Sequence, residues 1–424
     1  MSILRDILLS FLLLSAFASN CVFAEDEEFL DKSDINITVA FPHERQRLPF
    51  CERVYFIGAT DASRGEILYV NGATTAVHKT GAFISMVDVK VGTNNIVVFQ
   101  GRSKITRSFV VSQKQDVEKE PFKLIENSED PRLLPASTWR TKGNLFQNRI
   151  MSTPDGIDTV FFLPDNFLVR GSEIKGLSGV IAVWVEGRLG YMRKSLLKKE
   201  QGIPLPSYDV VVPDPTIGFS SAPPYGKKPE DVCIFIDAGH GGKESGAISP
   251  HGWKEKEVNL LQAQAIKKEL ELAGFNVVMT REGDETLGLL DRVMMAYSQK
   301  ADAFISVHHN ATAAHRDPRE VRHTTSYASL SNGFHLAKCI QKYIGPSLVP
   351  IKDNGAQMKS LAVCRNPAVP SCLIEVDFIN LPDGEAESWD LSRHKKVARA
   401  VVCGVLDWMM NEAHDKKSEE TSSK

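Results

Sequence analysis

No run of about 20 apolar residues occurs in the sequence, the length an α-helix needs to cross a bilayer. A surplus of charge is missing too: 50 Lys and Arg stand against 53 Asp and Glu, a formal net charge of −3 over 424 residues. That balance removes the basic field on which nucleic-acid binding would rest. Seven cysteines are present, and no two form a C-x-x-C pair, which argues against a cysteine zinc cluster. No internal repeat is evident. What is abundant is ordinary: 42% hydrophobic and 24% charged residues, the balance of globular domains with real cores, and a length that suggests two or three of them.

The first 24 residues differ from the rest. Arg5 precedes a short apolar run at 7–17, Val22-Phe23-Ala24 has the form of a small-residue cleavage site, and EDEE comes directly after. The run is too short to span a membrane and fits a signal peptide at 1–24. The mature chain is then expected in the periplasm or cell envelope, without a transmembrane segment. Six cysteines remain after cleavage: Cys51, Cys233, Cys339, Cys364, Cys372 and Cys403. Their even number permits disulfides, with Cys364 to Cys372 one conceivable bridge, while Cys233 reads equally as a buried thiol.

Residues 34–113 alternate short strands with turn signals, an all-β sandwich pattern. Their L-x-V-N-G … G-x-F … G-x-N-x-I-x-V pattern at 68–98 resembles bacterial immunoglobulin-like modules. Residues 136–200 are β-like again, and GVIAVWVEG followed by RLGYMRKSLL resembles the end of an SH3-like barrel. Trp184 and Tyr191 could bind wall peptides there, but an aromatic on a barrel strand is more often core. Seven prolines within 202–230 read as a stiff linker over 201–230, holding the β-modules away from residues 231–411 and limiting them to targeting. The tail at 412–424 is polar and charged.

Over 231–411 the texture changes to alternating strands and helices. VCIFID is an apolar run with glycine close behind it, as in a strand buried on both faces. The periodicity predicts helices at 258–273, 289–300, 331–344 and 394–410, and strands at FNVVMT, AFISV, SLAVC and SCLIEV. This is an α/β domain, a mixed and mainly parallel sheet with helices on both faces.

Reactive groups in such sheets collect beyond the carboxyl ends of the strands. His240 comes after the first strand among Gly239, Gly241 and Gly242; His308 ends AFISV; Glu255 opens the next helix; Glu375 lies near the end of SCLIEV. Asp237, three residues before His240, could fix the tautomer of its ring. Each has a bland reading alone, as a structural His, a helix-dipole Glu or a paired buried acid. Two histidines and two glutamates together are the composition of a catalytic zinc hydrolase, three groups holding the metal and a fourth moving the proton.

The motifs DAGHGG at 237–242, EKEVNL at 255–260, TREGD at 280–284, LLDR at 289–292, SVHHN at 306–310 and EVDF at 375–378 come in the order and spacing of a known family. The segment 233–408 resembles the zinc-dependent N-acetylmuramoyl-L-alanine amidases of bacterial cell walls. The resemblance implies one Zn2+ held by His240, Glu255 and His308, with Glu375 as acid/base, and Asp237, Asn310 and Arg292 as supporting or substrate-facing residues. Register prefers Glu255 to Glu257 and His308 to His309, leaving His309 to meet substrate or solvent. It further implies peptidoglycan as partner, a monomer, and hydrolysis of the amide between N-acetylmuramic acid and L-alanine, in wall remodelling or daughter-cell separation.

Two departures stand out: Asp377-Phe378-Ile379-Asn380 replaces the usual G-F-x-S-N, and VRHTTSYA replaces an aromatic-rich strand. Only about twenty residues separate Asn310 from the helix near Ser331, too few for a long segment that would plug the site. An inactive, wall-binding amidase fold and a zinc peptidase acting within the stem peptide are the competing readings.

Overall fold

The computed structural model describes residues 35–61, 67–113, 124–143, 147–154, 159–210 and 223–410. The signal-peptide reading at 1–24, the tail at 412–424 and linker residues 211–222 lie outside the described residues. No described helix is long and apolar enough to cross a membrane.

Two β-modules come first. Strands Ile37–Phe41, Arg53–Thr60 and Ala82–Asp88 form a three-stranded sheet, and five strands between Arg47 and Val111 form a second. Along Gly92–Gln100 every second residue from Asn94 is buried, the period of a strand with one face on the core. The next module is a seven-stranded antiparallel sheet spanning residues 137–199. Its aromatics Trp184 and Tyr191 are 5% and 2% exposed, and the Tyr191 hydroxyl accepts a hydrogen bond from Ile125 N–H at 2.8 Å. They are core, not an open platform.

The first part of the expected linker is bound to the second module. Thr138 Oγ1 donates to Ile203 O, Arg170 Nε donates to Pro206 O, and Glu186 N–H donates to Val210 O. Residues 203–210 therefore lie along the second module. Prolines satisfy this role because their carbonyls still accept hydrogen bonds although they have no N–H to place.

The α/β domain has strands β1 (Cys233–Ala238), β2 (Asn276–Met279), β3 (Ala303–Asn310), β4 (His323–Ala328), β5 (Lys352–Met358) and β6 (Ser371–Phe378). Their order is β2-β1-β3-β6-β4-β5. All neighbours are parallel except β4 and β6. Helices α1 (Glu255–Leu272), α4 (Ser331–Ser347) and α6 (Leu391–Met410) cover one face; α2 (Leu289–Ser298) packs on the other. The short α3 (Pro318–Val321) and α5 (Pro382–Ser388) cap the connections.

Alternation along β1 explains the two cores. Ile234 and Ile236 point to the α1/α4/α6 side with Trp408, and Phe235 points to the other with Phe304 and Ala296. Each such fully buried large side chain stabilises by roughly 1.5–3 kcal/mol. Helix α1 ends where Gly274 turns at φ 93°, a left-handed value that a Cβ would oppose.

One expected strand is absent, and two others appear. SLAVC is not a strand but leads into a single helical turn at Ala362–Cys364. VRHTTSYA contains β4, paired on both sides and buried despite its Thr and Ser, and polar KDNGAQM forms the edge strand β5. Cys364 and Cys372, the conceivable bridge, are separate thiols.

The sandwich is not held away from the α/β domain. Its Tyr55, Ile57 and Ile84 share a buried apolar cluster with Phe378 and Leu381. Tyr55 N–H donates to Ala314 O at 2.9 Å, the His251 ring reaches Thr80 O at 3.1 Å, and His78 lies 3.1 Å from Asp383. Phe378→Ala should cost about 3–5 kcal/mol, seen as a lower unfolding midpoint and as new protease cleavage within residues 35–113.

Candidate metal centre

Strand β1 has β2 on one side and β3 on the other, so the chain reverses direction across the sheet at its carboxyl end. That crevice is where α/β sheets place their ligands. It is held open by one buried carboxylate. Asp237, 0% exposed, accepts from Arg292 Nη1 at 2.6 Å, Thr280 Oγ1 at 2.8 Å and Ser306 Oγ at 2.6 Å. Its hydrogen bonds go to neither imidazole, so the expected tautomer-fixing bond to His240 is replaced by a tie between β1, β3, α2 and the end of β2.

Arg292 carries that tie forward to the site. Its Nη1 donates to Ala238 O at 2.9 Å and its Nη2 to His240 O at 2.7 Å. His240 sits at φ 61°, a left-handed conformation costly for a residue with a Cβ. The carbonyl anchor compensates for it and turns the ring towards α1. Arg281 adds bonds to Ala238 O and Gly239 O.

Glu255 opens α1, where the helix dipole favours a carboxylate. Its Oε2 lies 3.2 Å from His240 Nε2 and its Oε1 2.9 Å from His308 Nδ1. Donor atoms of His240, Glu255 and His308 all lie within 4.8 Å of one another. Burial pushes the Glu255 carboxyl up, but hydrogen bonds from the two imidazoles outweigh it and hold it well below the usual range. For His308 burial acts downward, and Glu255 outweighs it so that the net shift is upward.

The glycines that surround His240 are spatial requirements. A Cβ on Gly239 would enter the His308 ring, and one on Gly246 would meet Glu255 and His240. Asn259 completes the support, donating to Gly239 O at 3.2 Å and Glu255 Oε1 at 3.1 Å.

Glu375 faces this group from β6, where it is the register partner of His308. Its Oε2 is shielded from solvent and has no hydrogen-bond partner. Burial pushes its carboxyl up to about 7. A cavity of about 210 Å³ opens beside the cluster, lined by His240, His308, Leu289, Ala362 and Leu373 among others.

The two neighbours excluded by register stand elsewhere. Glu257 accepts from Lys254 N–H at 3.1 Å, closing the start of α1. His309, 2% exposed, bonds Asn259 Oδ1 at 2.9 Å, and burial drives its pKa down to about 3. It meets neither solvent nor the cavity, contrary to expectation. Asn310 ends β3, and its carbonyl accepts from Ile379 N–H at 3.0 Å. Asn259 was missed as a supporting residue, although the E-x-x-x-N spacing places both side chains on one helix face.

The altered loop after Glu375 has a physical role. Asp377 accepts from Arg322 at 2.9 and 2.7 Å and from Arg393 at 2.7 Å, while Phe378 seats the sandwich. Residues 311–322 are fixed by Arg322 and by the Ala314 bond to Tyr55, and none of them lines the cavity at His240.

The donor set suits zinc: two imidazoles and a carboxylate of mixed hardness, with a free carboxylate oxygen opposite. Residues 234–407 match the family described as N-acetylmuramoyl-L-alanine amidase. The chain is 32% identical over 176 residues to the uncharacterized protein YqiI of Bacillus subtilis (strain 168), covering 42% of this chain and 84% of that protein. It is 33% identical over 176 residues to the N-acetylmuramoyl-L-alanine amidase LytC of the same strain, covering 41% of this chain and 35% of that one. Against the amidase AmiA of Escherichia coli (strain K12) the identity is 28% over 231 residues, with coverages of 43% and 80%. Among solved structures, the catalytic domain of the amidase CwlV from Bacillus (Paenibacillus) polymyxa var. colistinus aligns with a TM-score of 0.39 and 30% identity, over 42% of this chain and 97% of that one.

Gly239→Ala should disturb the centre without replacing a donor residue. Purified protein should keep its circular dichroism and lose most of its bound zinc in metal analysis, because the added methyl displaces the His308 ring.

Proposed function

The chain belongs to the N-acetylmuramoyl-L-alanine amidase family, and from that membership we propose that it is a zinc-dependent enzyme cleaving the amide between N-acetylmuramic acid and L-alanine in peptidoglycan. The observation that carries this reading is the convergence of His240, Glu255 and His308 within 4.8 Å, faced by Glu375. His240, Glu255 and His308 would hold one zinc ion. Zinc in such a site supplies Lewis acidity that activates water and polarises the scissile carbonyl.

The remaining work falls to the protein. Glu375 receives the proton of the attacking water and delivers it to the departing amine, so that one water is consumed and a carboxylic acid and an amine result. A carboxyl pushed up to about 7 is suited to both transfers near neutral pH. Asp237 and Arg292 position the backbone of His240, and Asn259 orients Glu255. A full donor set with a shielded acid opposite argues against an inactive wall-binding fold. Export to the periplasm or envelope agrees with a substrate that lies outside the cytoplasmic membrane, with a role in wall remodelling.

Six variants separate the roles. His240→Ala, Glu255→Ala and His308→Ala should each lose zinc and activity together. Glu375→Gln should keep near-stoichiometric zinc and lose turnover by about 10²-fold or more. Glu257→Ala should keep both. His309→Ala should keep its metal but lower the unfolding midpoint, since it empties a buried site. Mass spectrometry of fragments from purified peptidoglycan identifies the bond cut: free stem peptides beginning with L-alanine support the reading, and cuts only within the stem overturn it.

A further inference from the structure

Several arginines of this molecule are paired with carboxylates: Arg132 with Asp130, Arg140 with Glu200, Arg292 with Asp237, and Arg322 and Arg393 with Asp377. Two others stand side by side without one. Arg149 and Arg193 belong to adjacent strands of the seven-stranded module, Arg149–Met151 and Arg188–Arg193. The antiparallel register that sets Met151 against Tyr191 brings them alongside each other. Like charges side by side across strands are unfavourable, and neither guanidinium has a carboxylate partner among the described residues.

Both line a cleft of about 340 Å³ between this module and the α/β domain. On its opposite wall stands Arg365, held by Nε and Nη2 bonds to Ser360 at 3.0 and 2.8 Å. No Asp or Glu lines the cleft. Leu289 and Ala362 line both it and the cavity at His240 and His308, so the basic cleft continues directly from the candidate metal centre. Burial and the neighbouring Arg193 both disfavour the charge on Arg149, a cost that an anion between them would offset.

We propose that this cleft is a subsite for carboxylates of the stem peptide, with Arg149 and Arg193 of the β-module completing the substrate site of the α/β domain. The ligand is an acidic peptide, because guanidinium forks match carboxylates and the exposed Leu289 and Leu290 offer an apolar floor for its backbone and side chains. The second module then takes part in substrate recognition and is more than a wall anchor. This inference rests on the amidase reading.

The test uses the full chain and two soluble disaccharide-peptides, one with free peptide carboxylates and one with those carboxylates amidated. For Arg149→Gln/Arg193→Gln, KM for the acidic substrate should rise about tenfold or more, with kcat within about twofold of wild type. The amidated substrate should be turned over as by wild type, and Arg149→Lys/Arg193→Lys should recover most of the lost affinity. An unchanged KM, or an equal rise for both substrates, overturns the proposal. A second readout needs no turnover: the free acidic peptide, titrated calorimetrically into zinc-free protein, should bind wild type and the lysine pair but not the glutamine pair. Equal binding by all three overturns the subsite. If wild type binds the peptide yet releases none from peptidoglycan, the amidase reading fails while the subsite stands. If it cleaves and neither KM nor peptide binding responds to the arginines, the subsite fails alone.

Discussion

The buried Asp237–Arg292 pair is the contact that shapes the site. A carboxylate with no solvent exposure is tolerated only when its charge is met and its lone pairs filled, and here one guanidinium and two hydroxyls do so. These partners come from α2, from the residue after β2, and from β3, so satisfying one charge draws three segments to the end of β1. The same guanidinium reaches His240 O, which stabilises the left-handed turn that aims the imidazole. Removing either partner would leave a buried charge alone, a loss of about 3–5 kcal/mol by the general behaviour of such pairs. Fold stability and site geometry thus meet in one contact.

Around that contact, polar groups are arranged in tiers. Asn259 holds Glu255 and also bonds His309, so a single side chain links the helix start to β3. Glu375 differs from these, with a shielded oxygen that no hydrogen bond satisfies. Buried polar atoms without partners are rare in folded proteins, and one opposite three convergent donors is best understood as reserved for a ligand or a reacting proton.

The β-modules change what the α/β domain is. The segment after Glu375 both pairs Asp377 with two arginines and presents Phe378 and Leu381 to the sandwich. The second module shares a cleft with α2 and Arg365. The α/β domain is thus met by residues more than a hundred positions away in the chain.

Local pattern along the chain is enough for the α/β class, for the positions of β1, β3, β6 and the main helices, and for the four candidate residues. Apolar runs give buried strands, 3.6-residue periodicity gives helices, and motif spacing brings particular residues to strand ends. Spacing also separates Glu255 from Glu257, since only the former stands four residues before Asn259. The rest depended on partners distant in sequence. Polar β4 and β5 are strands because neighbours supply their hydrogen bonds, and SLAVC is not one because no strand pairs with it. Asp237 reads as a partner for His240 until Arg292, Thr280 and Ser306 claim its oxygens. The proline-rich stretch reads as a free linker because composition is blind to the carbonyls that accept bonds from Thr138 and Arg170. Folding alone set the sandwich on Phe378 and placed two unpaired arginines in the cleft beside α2, since charge pairing and apolar contact are properties of surfaces that exist only once distant segments have come together.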